Sequence, residues 1–379
     1  MHLPLPAALP SKPAILIAAI SGRALAAAAR RAGYRPLVAD MFNDTDTLRL
    51  AERSIVLPGS LKQGIDGNKL IDSLTALTGN DQPLALIYGS GFERNPDVID
   101  RLAQHFQLAG NSGSTVRAVK DPQNLAALCR KLDIPHPEIR LGSPTEPNGW
   151  LAKLSGGAGG SHVRGATGDA LQDDEYFQRF MPGKNLSVLF LARAGQARIV
   201  GFSRQWAAPA PDAPFRYGGA VRLTRFDHSK RHKIQGWLDR LTAATGLLGL
   251  CSADMIDGPE GLHLIEINPR PGATLDIFDC DAHPLLGQHL NAVQGAAITS
   301  PAYYDTKASA IAYASQPIPR FPAVDWPAET ADQQRPGTAL GTGDPICTVL
   351  ARGKSAAAAE RAVRHRLRDL TAHWKEESP

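Results

Sequence analysis

The segment CSADMIDGPEGLHLIEINPRPGATLD, residues 251–276, carries the strongest chemical signal in the chain. Asp257-Gly258 through Gly261 reads as a turn between two strand-like runs, so the segment predicts a β-hairpin. Pairing Ile256 with Leu262 would set Asp254 opposite Leu264 and diagonal to Glu266. Alternation then puts Leu264, Glu266 and Asn268 on the face of Asp254 and sends Ile265 and Ile267 into the core, unless a bulge shifts the register by one. Two carboxylates and an amide oxygen converging on one spot suit Mg²⁺, which binds through one or two carboxylates plus substrate phosphates. Acidic residues decorating an exposed strand are the plain alternative. Glu266 between two isoleucines, followed by Asn-Pro-Arg-Pro-Gly, weakens it.

The second signal is WLAKLSGGAGGSHV, residues 150–163. Lys153 on an apolar strand leads into Gly156-Gly157-Ala158-Gly159-Gly160-Ser161. Glycines let backbone N–H groups approach phosphate oxygens, and a nearby lysine adds a point charge. The run fits neither the P-loop nor the dinucleotide fingerprint. Taken alone it is equally a flexible surface loop.

Parallel strands and helices must position these residues. Ala14–Ile20, a turn at Ser21-Gly22, a helix from Arg23 to Ala32 ended by Gly33, and a strand at Pro36–Asp40 form a βαβ-like opening. The same N-terminal stretch also resembles a short signal peptide, but Arg23 interrupts its apolar run. A further buried strand, Leu84–Tyr88, ends in Gly89-Ser90-Gly91; a helix over Val98–Phe106 and a short strand at Leu108–Gly110 follow. Ser114–Asp133 reads as helix, with Val116, Val119, Leu125, Leu128 and Leu132 apolar and Pro122 breaking it in two. Ile134–Ile139 is an extended connector. Strands dominate from Trp150 to Phe202, with Ser187–Arg193 and Ala197–Ser203 joined at Gly195. A helix over Lys230–Thr245 precedes the metal-ligand hairpin. The tail holds a strand at Ser309–Ser315, a Pro-rich stretch, the strand CTVLAR, and a helix from Ser355 with Val363, Leu367, Leu370 and Trp374 on one stripe.

At 379 residues the chain is long enough for two or three domains, and 43% hydrophobic against 21% charged residues describes a soluble globular protein. A net charge of +4, with no polybasic arm, argues against nucleic acid and membrane as partners. The arginines of the last helix (Arg361, Arg364, Arg366, Arg368) read as a solvated face. No uncharged apolar run approaches the ~20 residues of a membrane span. Cys129, Cys251, Cys280 and Cys347 show no zinc or disulfide spacing, which suits a reducing, cytoplasmic setting.

Together these motifs resemble the ATP-grasp family of ATP-dependent ligases, in matching order. Lys120 in VRAVKDP, followed by ALCRKLDIPHPE, matches that family's first lysine; Lys153 matches the second, ahead of the glycine loop Gly156, Gly157, Gly159, Gly160 and Ser161. In YFQRFMPGKNLSVLFL, Gln178, Arg179 and Phe180 match the positions that meet adenine. Asp254, Glu266 and Asn268 match its Mg²⁺ ligands, and Arg270 its phosphate-facing arginine. The resemblance implies ATP and Mg²⁺ as cofactors, with Mn²⁺ as the substitute ion, and catalytic roles for Arg270 and Lys153. It implies a mixed α/β and α+β architecture: a Rossmann-like pre-ATP-grasp domain at 1–112, the ATP-grasp fold at 113–300, and a small β-rich domain closed by a helix at 301–379. The last resembles the C-terminal domain of the carboxylase-like branch through its PGT…GDPICTVLARG run.

The implied activity is carboxylate–amine ligation: an acyl phosphate forms from ATP, and an amine displaces the phosphate to leave an amide or γ-glutamyl bond. VADMFNDTDT, YGSGFERNPDVIDRLA and NPRPGATLDIFD further resemble the tyramine- or tyrosine-glutamate ligases of methanofuran and methylofuran assembly. A bicarbonate-activating carboxylase and a non-catalytic nucleotide-binding subunit are the alternatives. The clustered carboxylates weigh against the last. Partners are then small carboxylates and amines, with a homodimer as the default assembly. Arg216, Tyr217, Gly218 and Arg222 are open to a substrate-facing role or an ordinary loop role. His228, His232, His283 and His289 read as surface or packing residues, and Cys251 and Cys280 lack a base partner for nucleophilic work.

Overall fold

The computed structural model describes residues 12–61, 64–167 and 171–376. Four parallel strands form the N-terminal sheet, in the order Arg53–Val56, Arg35–Asp40, Ala14–Ala19 and Ala85–Tyr88. The expected βαβ opening is present, with its helix at Arg23–Arg31. Strand alternation sorts Ala14–Ala19 cleanly. Ile15 and Ile17 face the helix Leu285–Val293 and the central sheet, whereas Leu16 and Ala18 face Leu70, Leu74 and Ile99.

The central sheet has eight antiparallel strands. Their order is Gly261–Asn268, Gly249–Gly258, Lys184–Arg193, Gln196–Ala207, Tyr217–Leu223, Thr306–Tyr313, Pro345–Gly353 and Thr330–Ala331. Val188, Phe190 and Ala192 point to one face, where Trp237, Leu238 and Leu241 of the helix His228–Thr245 join Val119 and Leu125. Leu189 and Leu191 point to the other, against the N-terminal layer. Among the described residues the C-terminal segment has no sheet of its own. Its strand Thr306–Tyr313 pairs with Tyr217–Leu223, covering what would be a bare edge, the other two strands extend the sheet from there, and the helix Ala356–Glu376 packs Ala359 and Val363 over them. The side chain of Trp374 lies outside the described residues.

A smaller antiparallel sheet carries the nucleotide motifs, in the order Ile139–Arg140, Glu175–Arg179, Trp150–Leu154 and Val163–Gly165. The helical segment breaks as expected. One helix, Gly113–Lys120, ends at Asp121, whose carboxylate caps the next helix by accepting from the Asn124 N–H at 2.8 Å, with Pro122 opening Pro122–Lys131. Arg23 ties the layers together. Its buried guanidinium reaches Asp276 at 2.5 and 2.7 Å and Asp332 at 2.8 and 3.0 Å, locking the first helix to the short helix Leu275–Phe278 after the hairpin and to the C-terminal segment.

Candidate active site

The hairpin forms, with a bulge that corrects the simple register. Asp257 faces Leu262, Met255 faces Leu264, and Asp254 faces Glu266 directly, with the irregularity between Asp254 and Met255. Ile265 is therefore the extra residue on its strand. Leu264 and Ile267 are both fully buried in the core, while Ile265 joins Glu266 in lining a cleft. The expected placement of Leu264 beside Glu266, and of Ile265 in the core, is thus reversed by one inserted residue. Asn268 lies as expected and donates from Nδ2 to Asp254 Oδ2 at 3.0 Å.

The two facing carboxylates are held differently. Burial and then the charge of Glu266 push Asp254 up, and its Oδ1 is buried without a hydrogen-bond partner. Burial would also raise Glu266, but Lys120 and Lys153 outweigh it and hold Glu266 down at about 2. Lys120, the last residue of its helix, donates from Nζ to Glu266 Oε1 and, at 2.9 Å, to Asn268 Oδ1. A cation already sits where this oxygen set converges. The orphaned Asp254 oxygen and the two-carboxylate-plus-amide donor set fit a divalent ion completed by phosphate oxygens. Among the described residues no group of three or more His, Cys, Asp or Glu is placed to hold a metal ion.

Lys153 projects from Trp150–Leu154 into the same cleft, buried, and donates to Gln178 Oε1 at 3.2 Å. Burial lowers its pKa, and Glu266 and Asp254 offset part of that. The lining of the cleft includes Lys120, Lys153, Gly156, Gly157, Gln178 and Glu266. Gly156 and Gly160 are both required by close approach. A Cβ on Gly156 (φ +66°) would lie 2.6 Å from the Glu93 carbonyl oxygen, and one on Gly160 (φ +72°) 2.2 Å from that of Phe215. Gly159 accepts from the Tyr217 N–H at 2.8 Å, so the loop is docked across the cleft between the N-terminal layer and residues 215–217; Ser161 is exposed on it.

Arg270 is fixed by a residue the sequence reading did not single out. Its Nε donates to Glu93 Oε1 at 2.7 Å, while Glu93 Oε2 accepts the Gly91 and Phe92 N–H groups at 2.7 and 3.0 Å. Burial would lower the pKa of Arg270, but Glu93 raises it overall, so the guanidinium stays charged. The signal available was the acid closing the turn Gly89-Ser90-Gly91-Phe92-Glu93 after a buried strand. His136 and His162 also line the cleft and were not singled out.

Some candidates fall elsewhere. On strand Glu175–Arg179, Gln178 faces the cleft but Arg179 turns outward and lies 5.6 Å over the Trp150 ring; Phe180 is 44% exposed and does not line the cleft. Arg222 is buried, bonded to the carbonyls of Ile277 and Asp305 and to the Asp305 carboxylate, and does not line the cleft. Arg216 bonds the carbonyls of Ala208 and Gly343 and stacks 3.7 Å over Tyr313. His289 is a packing residue, accepting from the Leu250 N–H at Nδ1. Cys251 is buried beside Asn111 with its thiol pushed up to about 12, unsuited to a nucleophile.

Residues 122–274 match the model of the ATP-grasp domain. The fold is shared with solved structures. N5-carboxyaminoimidazole synthase of Aspergillus clavatus superposes with a TM-score of 0.69 at 14% identity, over 96% of this chain and 99% of that one. The L-amino acid ligase of Bacillus licheniformis gives 0.67 at 13%, over 95% and 98%. Biotin carboxylase of Campylobacter jejuni gives 0.65 at 13%, over 90% and 87%. No curated protein matches the chain by sequence. Residues 122–274 are therefore an ATP-grasp domain, and the expected mixed α/β fold, ATP-dependent ligase class and use of ATP with Mg²⁺ stand on that match.

Proposed function

We propose that this chain is a carboxylate–amine ligase that couples ATP cleavage to amide-bond formation. One observation carries the reading. Two lysines from separate elements, a docked glycine loop, and the Asp254–Glu266–Asn268 face of one hairpin meet at a single cleft. ATP would supply the phosphoryl group that turns a carboxylate into an acyl phosphate, which an amine then displaces. The residues do the rest by charge and placement. Asp254, Glu266 and Asn268 would hold Mg²⁺. Lys153, steadied by Gln178, and Lys120, freed from Glu266, would balance the phosphates. Arg270, kept charged by Glu93, would face the transferred group. The loop docked through Gly156 and Gly160 keeps water from the activated acyl group.

The finer reading is the joining of glutamate to tyrosine or tyramine, supported by the VADMFNDTDT, YGSGFERNPDVIDRLA and NPRPGATLDIFD segments. An ADP-release screen with ATP and Mg²⁺ against amino acids, aromatic amines and bicarbonate tests it. Release that needs both an acid and an amine supports ligation; tyrosine or tyramine with glutamate should lead. A second reading, bicarbonate activation, rests on the PGT…GDPICTVLARG run of the C-terminal segment. Bicarbonate-dependent release without an amine would select it.

A further inference from the structure

We infer that the C-terminal segment holds the glycine loop over the cleft, with Tyr313 and Arg216 as positioning residues for the rim on which the loop docks. That rim is residues 215–217, where the strand Tyr217–Leu223 begins. The loop meets it in two places. The Tyr217 N–H donates to the Gly159 carbonyl at 2.8 Å, and a Cβ on Gly160 would come within 2.2 Å of the Phe215 carbonyl oxygen. Both contacts are made by glycine main chain, so docking depends on where the main chain of the rim is held.

Two side chains hold it. The ladder between Tyr217–Leu223 and Thr306–Tyr313 runs from Gly219 to Val221. Beyond its end the Tyr217 carbonyl accepts from the Tyr313 Oη at 2.7 Å, so a side chain takes over from the ladder. Tyr313 stands where the next pairing slips by one residue, with Ala312 facing Cys347 and Tyr313 facing Pro345; such a bulge re-aims a side chain. Burial pushes its phenol up to about 12, with Arg216 offsetting part of the rise, so the hydroxyl keeps the proton it donates. Arg216 lies 3.7 Å over the Tyr313 ring and donates to the carbonyls of Ala208 at 3.1 Å and Gly343 at 3.3 Å. Gly343 sits in the turn GTGDP, bonded just past the same strand: its N–H donates to the Ala314 carbonyl at 2.8 Å. The run that sets the C-terminal segment apart in the sequence thus presents a carbonyl to the rim. The consequence for catalysis rests on the nucleotide reading above; the docking itself does not.

Hydrogen exchange at the Tyr217 amide reads the docking directly, because that N–H is the one bonded to Gly159. Tyr313→Phe keeps the ring under Arg216 and loses one neutral hydrogen bond. In nucleotide-free protein it should speed this amide about fivefold, with the amides of the strand Thr306–Tyr313 unchanged. Arg216→Met should act in the same direction. Thr306→Val, which removes a bond to the Gly353 carbonyl at the far end of that strand, should leave Tyr217 at its native rate. Native exchange at Tyr217 in either rim variant would overturn the inference. So would a rise shared equally by the strand, the mark of a residue that only packs. The second measurement is the release, by displacement, of a fluorescent non-hydrolysable ATP analogue bound with Mg²⁺. Release should quicken about fivefold in Tyr313→Phe, and a native rate would overturn the rim's hold on bound nucleotide. An analogue that the native chain does not bind would overturn the nucleotide reading instead, and exchange would still decide the docking.

Discussion

Lys120→Met removes an ammonium that touches both Glu266 and Asn268 but keeps the buried stem that fills the helix end. In the native chain Glu266 sits at about 2 against an ordinary 4.5, although burial alone would raise it, because Lys120 and Lys153 lie beside it. A gap of that size is worth about 3 kcal/mol. The folded-state value is the depressed one, so this stabilisation is complete above pH 4.5 and is lost as the pH falls towards 2. Without Lys120, Glu266 and the buried Asp254 face each other across the hairpin with one fewer cation. Urea unfolding of metal-free Lys120→Met at neutral pH should therefore show a loss of about 2–3 kcal/mol. Added Mg²⁺ should restore more stability to the variant than to the native chain, since the vacated oxygens accept it. A variant as stable as the native chain, with no greater response to Mg²⁺, would refute the claim that Lys120 balances a cation site.

Glu266→Ala should cut ADP release roughly a hundredfold or more while leaving the far-ultraviolet circular dichroism unchanged; near-normal release would contradict its role as a metal ligand. Lys153→Ala should raise the KM for ATP and lower kcat, and unchanged values of both in steady-state kinetics would exclude it from phosphate binding. Glu93→Gln should lower kcat by roughly tenfold with little effect on ATP affinity, because it loosens Arg270 rather than the nucleotide; an equal loss in both would place Arg270 elsewhere. His289 is neutral and accepts from Leu250, with its pKa pushed from 6.5 to about 4 by burial. Its contribution is complete above pH 6.5 and fades as the pH falls through 4, about 3 kcal/mol in all. The slope of urea-unfolding free energy against pH in that window should flatten in His289→Gln, and an unchanged slope would assign acid sensitivity to other groups.

Local chemistry was legible in the sequence; long-range partnership was not. Turn residues and alternation located the hairpin, and Pro122 marked the break that leaves Lys120 at a helix end. The bulge at Ile265 escaped because one inserted residue shifts the face of every side chain on its N-terminal side without changing composition. Glu93 lies 177 residues from Arg270, a separation that no local pattern spans. His136 sits in a connector flanked by prolines, where there is no periodicity to assign it a face. Arg222 looked available for a substrate carboxylate because a sequence shows a charge but not the carbonyls that engage it. The C-terminal strands read as a separate unit because the free edge of Tyr217–Leu223 that captures them exists only once the sheet is built.

Crystallising the chain with a non-hydrolysable ATP analogue and Mn²⁺, and collecting anomalous data at the manganese edge, tests the central claim most directly. The account predicts an anomalous peak bound by Asp254, Glu266 and Asn268 and by phosphate oxygens, with the Lys120 ammonium moved off Glu266. A triphosphate lying away from this hairpin, or a peak held by other residues, would contradict it.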